Sequence, residues 1–207
     1  MNYLIIADGD YQSPQLIKTL MLNKTVIALD GSYSRLKNLD IKPDIVLGDM
    51  DTLQVDLQEL SKITKVIKLP DQNTTDLQKA IIYCDQHNAE QIDIVCALGG
   101  RVDHTLVNLR VLRKYYRKQR SIILHTDTQQ MQFVRDQKIT IHGKIGDYCA
   151  IMAFPQGQFS SHGLKYDVIN FPLEFGESES ACNQLASTQA LLNIQGDALL
   201  ITTKAAH

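Results

Sequence analysis

Apolar residues in the first 127 positions fall into short runs separated by longer stretches of mixed character. The runs cover 3–7, 25–29, 44–47, 65–69, 92–98 and 121–124 and are rich in Ile, Val and Leu. Near-continuous apolar character predicts strands buried on both faces, as in a parallel sheet. Between the runs, 14–22, 32–39, 55–62, 75–88 and 104–120 carry apolar residues at helical spacing. Ser32 and Thr75 suit the N-caps of two of these helices. Strands alternating with helices predict a doubly wound α/β unit with helices on both faces of a mostly parallel sheet.

The texture changes near 126–132. Helical periodicity fades, and short stretches at 138–142, 148–154, 189–194 and 198–203 are separated by Gly, Pro, Asp and Ser. Short strands at close spacing predict an antiparallel β-sandwich. Gly143, Gly146-Asp147 and Gly196-Asp197 read as its hairpin turns. The expected organisation is an α/β domain over 1–127 and a β-sandwich domain over 128–207.

Composition narrows the function. At 207 residues and 44% hydrophobic, the chain can bury a full core. Twenty-one basic residues against 23 acidic ones give a net charge of -2, which argues against a strongly basic nucleic-acid binder and a charged disordered chain. The basic run at 113–120 (RKYYRKQR) then reads as a solvated helix end complementing its dipole. No apolar run approaches a membrane span and the apolar stretch at the start (MNYLIIADGD) is too short for a signal peptide, so a soluble cytoplasmic protein is expected. The cysteines at 84, 96, 149 and 182 never form Cys-x-x-Cys and are expected as buried free thiols.

The acids are unevenly chosen. Eighteen are Asp and five are Glu, and 13 of the Asp lie in the first 103 residues. Asp is a poor helix former that belongs at caps, in turns and around hard cations. Five apolar runs lead, at or just past their carboxyl ends, into Asp8, Asp30, Asp49 with Asp51, Asp71 with Asp76, and Asp103. In a parallel sheet those ends share one edge, where such folds bind ligands. Carboxylates gathered there repel one another unless a cation sits among them, and Mg²⁺ on carboxylates commonly accompanies a polyphosphate. Asp49-Met50-Asp51, Gly99-Gly100-Arg101 and the loop 71–76 are each compatible with a simple turn or cap. Together they favour a phosphate–metal site, with Gly99 and Gly100 as a backbone nest and Arg101 as a fork of donors. The chain has neither a Walker-type Gly-x-x-x-x-Gly-Lys-[Ser/Thr] nor a Gly-x-Gly-x-x-Gly after its first strand.

Five blocks in order, DGSYSRL at 30–36, PDIVLGDMDT at 43–52, LPDQNTTDLQKA at 69–80, GGRVDHTLVNL at 99–109 and GLKY at 163–166, resemble the thiamine pyrophosphokinase (thiamine diphosphokinase) family over nearly the whole chain. The resemblance implies an enzyme that transfers the terminal diphosphoryl group of ATP to thiamine, giving AMP and thiamine diphosphate. It implies Mg²⁺ dependence, and a homodimer with thiamine held near the interface, between one subunit's catalytic domain and the partner's β-domain. By the same resemblance, Asp30, Asp49, Asp51, Asp76 and Asp103 are the catalytic acids, with Asp49, Asp51 and Asp76 on the metal. Gln72, Thr75, Gly99, Gly100 and Arg101 line the nucleotide site. Tyr166 takes the place of an aromatic residue against thiamine, and Cys182-Asn183 that of a Ser-Asn pair, with Asn183 on the aminopyrimidine. Thr52, Ser32 and Cys182 stand where the family commonly has Ser, Gly and Ser. Two alternatives stay open: the same chemistry on another acceptor, such as a hydroxymethylpterin, or a non-catalytic thiamine- or nucleotide-binding protein.

Overall fold

The computed structural model describes residues 1–53 and 55–204; the last positions of the expected second domain, 205–207, lie outside the described residues. The chain divides into two compact units, Met1–Asp127 and Thr128–His207.

In the first unit β1 (Asn2–Ile6), β2 (Thr25–Leu29), β3 (Ile45–Gly48), β4 (Lys65–Lys68), β5 (Gln91–Val95) and β6 (Ser121–His125) lie in the order β4-β3-β2-β1-β5-β6. All of these pairings are parallel. The helices are α1 (Pro14–Met21), α2 (Tyr33–Asn38), α3 (Leu57–Ser61), α4 (Asp76–Gln86) and α5 (Val102–Lys114). Both sheet faces are covered because both sets of alternating strand residues are apolar. Leu4, Ile6, Val26, Ala28 and Val46 share one core with Leu16, Ile17 and Leu20 of α1 and with Tyr33, Leu36 and Leu60. Residues of the other parity, such as Ile5, Ile27 and Leu47, are also fully or nearly fully buried, and α4 packs across β1, β2 and β3. This is the doubly wound arrangement expected.

Thr75 caps α4 in a capping box with Gln78, as its position before an apolar period predicts. Ser32 stands at the N-cap of α2, as expected, but its side chain makes no capping bond. It is fully buried, and its hydroxyl lies 2.7 Å from the Leu29 carbonyl and 3.0 Å from that of Ile6, so it ties the turn after β2 to β1. The basic run is not wholly solvated either: Arg120 is buried on Asp85, which Arg117 also contacts at 2.8 Å. Cys84, Cys96 and Cys149 are buried free thiols, whereas Cys182 is exposed. No described helix is long and apolar enough to cross a membrane.

The second unit is antiparallel, with β7 (Gln129–His142), β8 (Cys149–His162), β9 (Phe171–Glu174) and β10 (Gln189–Thr203) in the order β7-β10-β8-β9. Residues on both sides of the irregularities in β8 and β10, such as Ile151, Phe159, Ile194 and Leu200, enter one apolar core. Long strands that fold over their own core in this way build a sandwich from few elements. Two of the expected hairpins are corrected. The turn at 143–147 does not join paired strands, because β10 inserts between β7 and β8; Gly143 and Gly146 donate instead to the Thr188 and Leu185 carbonyls. Gly196-Asp197 interrupts the register inside a single strand. A bulge there puts Gly196 at φ +77 against Gly157 of β8, where a Cβ would come within 2.9 Å of backbone. Arg135 and Asp197 pair across it.

Candidate active site

Parallel pairing brings the carboxyl ends of β1 to β6 to one edge, and three of the expected acids meet there. Asp30 follows β2, Asp49 follows β3 and Asp76 opens α4, and their ligand atoms all lie within 4.8 Å of one another. Asp30 is buried. It accepts the N–H of Gly31 at 2.7 Å and of Met50 at 2.9 Å, so one carboxylate both faces the trio and holds the Asp49-Met50-Asp51 turn. Met50 is at φ 70 in that turn. Gly48 is required beneath it, because a Cβ there would stand 2.6 Å from the Asp30 carboxyl carbon.

The charges respond to this crowding. Burial, then the Asp76 charge, pushes the Asp30 carboxyl up from its ordinary value. Asp49 is held down by the Asp51 N–H at 3.2 Å, with Gln72 Nε2 donating to it from 3.2 Å. An oxygen-only donor set with mutual repulsion suits a hard divalent cation.

Asp51, expected on the metal, is exposed and is not one of the trio. The Asp-x-Asp spacing would align two side chains on an extended strand, but the left-handed Met50 breaks that alternation. Asp103 also stands apart from the trio. Arg101 engages it through Nε at 3.0 Å and Nη2 at 2.5 Å, and the guanidinium brings Asp103 down to about 2. Thr75 serves as the α4 cap. One residue was not found by sequence reasoning. Lys79, buried on the inner side of α4, places Nζ 2.8 Å from Asp76 Oδ1 and supplies a fixed positive charge beside the acids. Its only sequence signal is the three-residue spacing from Asp76 on a helix.

Gly99 and Gly100, at φ +81 and +63, form the turn into α5, whose N-terminus has no side-chain cap. The Gly99 N–H is taken by Thr105 Oγ1 at 3.1 Å, which ties the turn to the start of α5, so the Gly100 N–H and the uncapped helix N-terminus are the donors left for an anion. A Cβ on Gly99 would lie 2.0 Å from the Asp10 carboxyl carbon. Gly99→Ala is therefore expected to destabilise the first unit by about 1–3 kcal/mol, read by denaturant titration; a change below about 0.5 kcal/mol would show that the turn relaxes freely.

In the second unit Tyr166 is 60% exposed, with Lys165 Nζ 5.4 Å from its ring centre. Asn183 is 2% exposed and hydrogen-bonded to both the N–H and the C=O of Tyr166. Cys182 is exposed at φ 59.

Residues 17–124 match the family model for the catalytic domain of thiamin pyrophosphokinase, and 135–201 match that for its vitamin B1 binding domain. Thiamin pyrophosphokinase 1 of Caenorhabditis elegans is 29% identical over 180 residues, covering 80% of this chain and 73% of the relative. Thiamine pyrophosphokinase 1 of Arabidopsis thaliana is 31% identical over 192 residues, 86% of this chain and 68% of the relative. The crystal structure of thiamine pyrophosphokinase from Bacillus subtilis has the same fold, with a TM-score of 0.83 at 21% identity and full coverage of both chains. With both of its units matched, the chain belongs to the thiamin pyrophosphokinase family.

Proposed function

We propose that the chain transfers the terminal diphosphoryl group of ATP to the hydroxyethyl oxygen of thiamine, releasing AMP and thiamine diphosphate. The observation that carries this reading is the Asp30–Asp49–Asp76 trio in a chain that matches both family models. The new bond joins the thiamine oxygen to the β-phosphorus. The bridge to the α-phosphorus breaks with its electron pair leaving on AMP, and the hydroxyl proton passes to a carboxylate of the site.

Mg²⁺ held by the trio would neutralise the triphosphate and fix its orientation. The chain's own groups do the rest. Asp30 sets the turn that carries Asp49, Gln72 steadies Asp49, and Lys79 offsets the charge of Asp76. The Gly100 N–H and the uncapped N-terminus of α5 offer donors to phosphate oxygens, while Arg101 adds a cation that first exchanges its partner Asp103 for the ligand. Thiamine is a cation built of two flat aromatic rings, so the exposed ring of Tyr166 suits it. The exposed Tyr148, Ile169 and Phe175 of the second unit support a homodimer with the acceptor near its interface. The buried reduced thiols accord with a cytoplasmic setting.

Incubation with ATP, Mg²⁺ and thiamine, followed by product analysis, tests the reading. AMP and thiamine diphosphate in equal amounts, abolished by a chelator and restored by Mg²⁺, are expected. Turnover on a hydroxymethylpterin alone would reassign the acceptor, and thiamine binding without loss of ATP would make the chain a binder.

A further inference from the structure

The aromatic face in the second unit is displayed by an unusually constrained strap. Tyr166 leaves its ring in solvent, yet its backbone N–H and C=O are both held by one buried side chain. A carboxamide offers two acceptor and two donor positions. In Asn183 all four are taken: Oδ1 accepts from Tyr166 N–H at 3.2 Å and Gln184 N–H at 2.9 Å, while Nδ2 reaches Tyr166 C=O at 3.0 Å and Ser180 Oγ at 3.3 Å. Nothing remains for a ligand unless one of these bonds is given up. Asp167 braces the other side of the strap, accepting the N–H groups of Gly163 and Leu164 and the Ser161 hydroxyl.

We infer that Asn183 is a positioning residue that acts through Tyr166, locking the 163–167 strap so that the ring meets an aromatic ring of a cationic acceptor as a preset face. This rests on the acceptor reading above and replaces the direct aminopyrimidine contact that the family resemblance implies for Asn183. The physical basis is preorganisation: a ring already held in its bound orientation loses less freedom when the ligand stacks on it. Asn is suited because its side chain presents a donor and an acceptor side by side, matching the C=O and N–H of one residue, Tyr166. Asp keeps the acceptor bonds but sets an oxygen against the Tyr166 carbonyl.

A double-mutant cycle decides between clamp and contact. The thiamine requirement is measured for the full chain and for Asn183→Ala, Tyr166→Ala and the double variant, with ATP and Mg²⁺ saturating. Asn183→Ala is expected to raise the thiamine KM about 3- to 30-fold, with kcat and the ATP KM within about two-fold, and the double variant is expected to be no worse than Tyr166→Ala. Asn183→Asp should fall between wild type and Asn183→Ala. Multiplying losses in the double variant would mean that Asn183 touches the acceptor itself and would overturn the inference, as would an unchanged KM in Asn183→Ala or in Tyr166→Ala. If the wild-type chain forms no thiamine diphosphate, the acceptor reading fails separately. Hydrogen exchange then reads the clamp: Asn183→Ala should lose protection at the strap amides alone, and unchanged protection there overturns it. The same measurement identifies an Asn183→Ala chain that has unfolded throughout, in which case Asn183→Asp carries the cycle.

Discussion

Asp76→Asn is expected to lower turnover about a thousand-fold while moving the thiamine requirement by less than about three-fold. The amide has the shape of the carboxylate, and Thr75 still caps α4, so the helix start survives the change. What disappears is one of three charges whose ligand atoms converge within 4.8 Å. A hard cation bound by fewer anionic oxygens is held more weakly and neutralises the polyphosphate less well when charge moves to the leaving group. Asp49→Asn should behave alike, since Gln72 and the Asp51 N–H both address its side chain and not the acceptor. Steady-state kinetics with thiamine and Mg²⁺ varied independently provide the check. Parallel loss of turnover and of thiamine affinity would show that these acids hold the fold and not the reaction.

Asp93→Asn is expected to cost the first unit about 3–5 kcal/mol of stability, the usual penalty for removing one partner of a buried ion pair. Asp93 is 1% exposed in the middle of β5, with Lys24 Nζ at 2.7 Å, His125 Nε2 at 2.6 Å and Gln91 Nε2 at 2.8 Å. Burial alone would push its carboxyl up; the His125 and Lys24 contacts outweigh that and leave it below the ordinary value. A carboxyl whose folded value lies below its unfolded one stabilises the fold above the unfolded value, near 3.9. That contribution is lost as pH falls through the depressed folded value. Wild type should therefore weaken below about pH 4, and Asp93→Asn should be weaker at neutral pH with a flatter acid limb. Urea unfolding across pH 2.5–7 is the measurement; equal acid limbs in the two proteins would remove Asp93 from this role.

The first unit was legible in the sequence because its strands are apolar on both faces, so each run declares itself without reference to its neighbours. Asp93 is instructive here: a single acid inside such a run did not disguise the strand, because one buried partner set satisfies it. The second unit was harder. In β7 and β8 many side chains alternate with solvent, and the stretches 129–137 and 155–162 carry too mixed a pattern to stand out. A glycine inside a strand and a glycine between strands also look the same in sequence; only the approach of Gly157 distinguishes the bulge at Gly196 from a turn. In the site, the convergence of Asp30, Asp49 and Asp76 followed from placing acids after parallel strands. The placing of Asp51 outside that trio did not, because it depends on the φ of Met50. Lys79 escaped because a lysine on a helix is ordinarily solvated, and its burial is a property of how α4 lies on the sheet.

The three converging acids come from separate crossovers, and none stands near another until β2, β3 and the first turn of α4 are in place. A nascent or unravelled chain thus offers a divalent ion no pocket, and only the finished sheet can capture one. Capture then draws the equilibrium toward the native form by mass action. With Mg²⁺ in the trio as proposed, the loaded protein is expected to outlast the bare one against proteases, so that magnesium supply would set its lifetime.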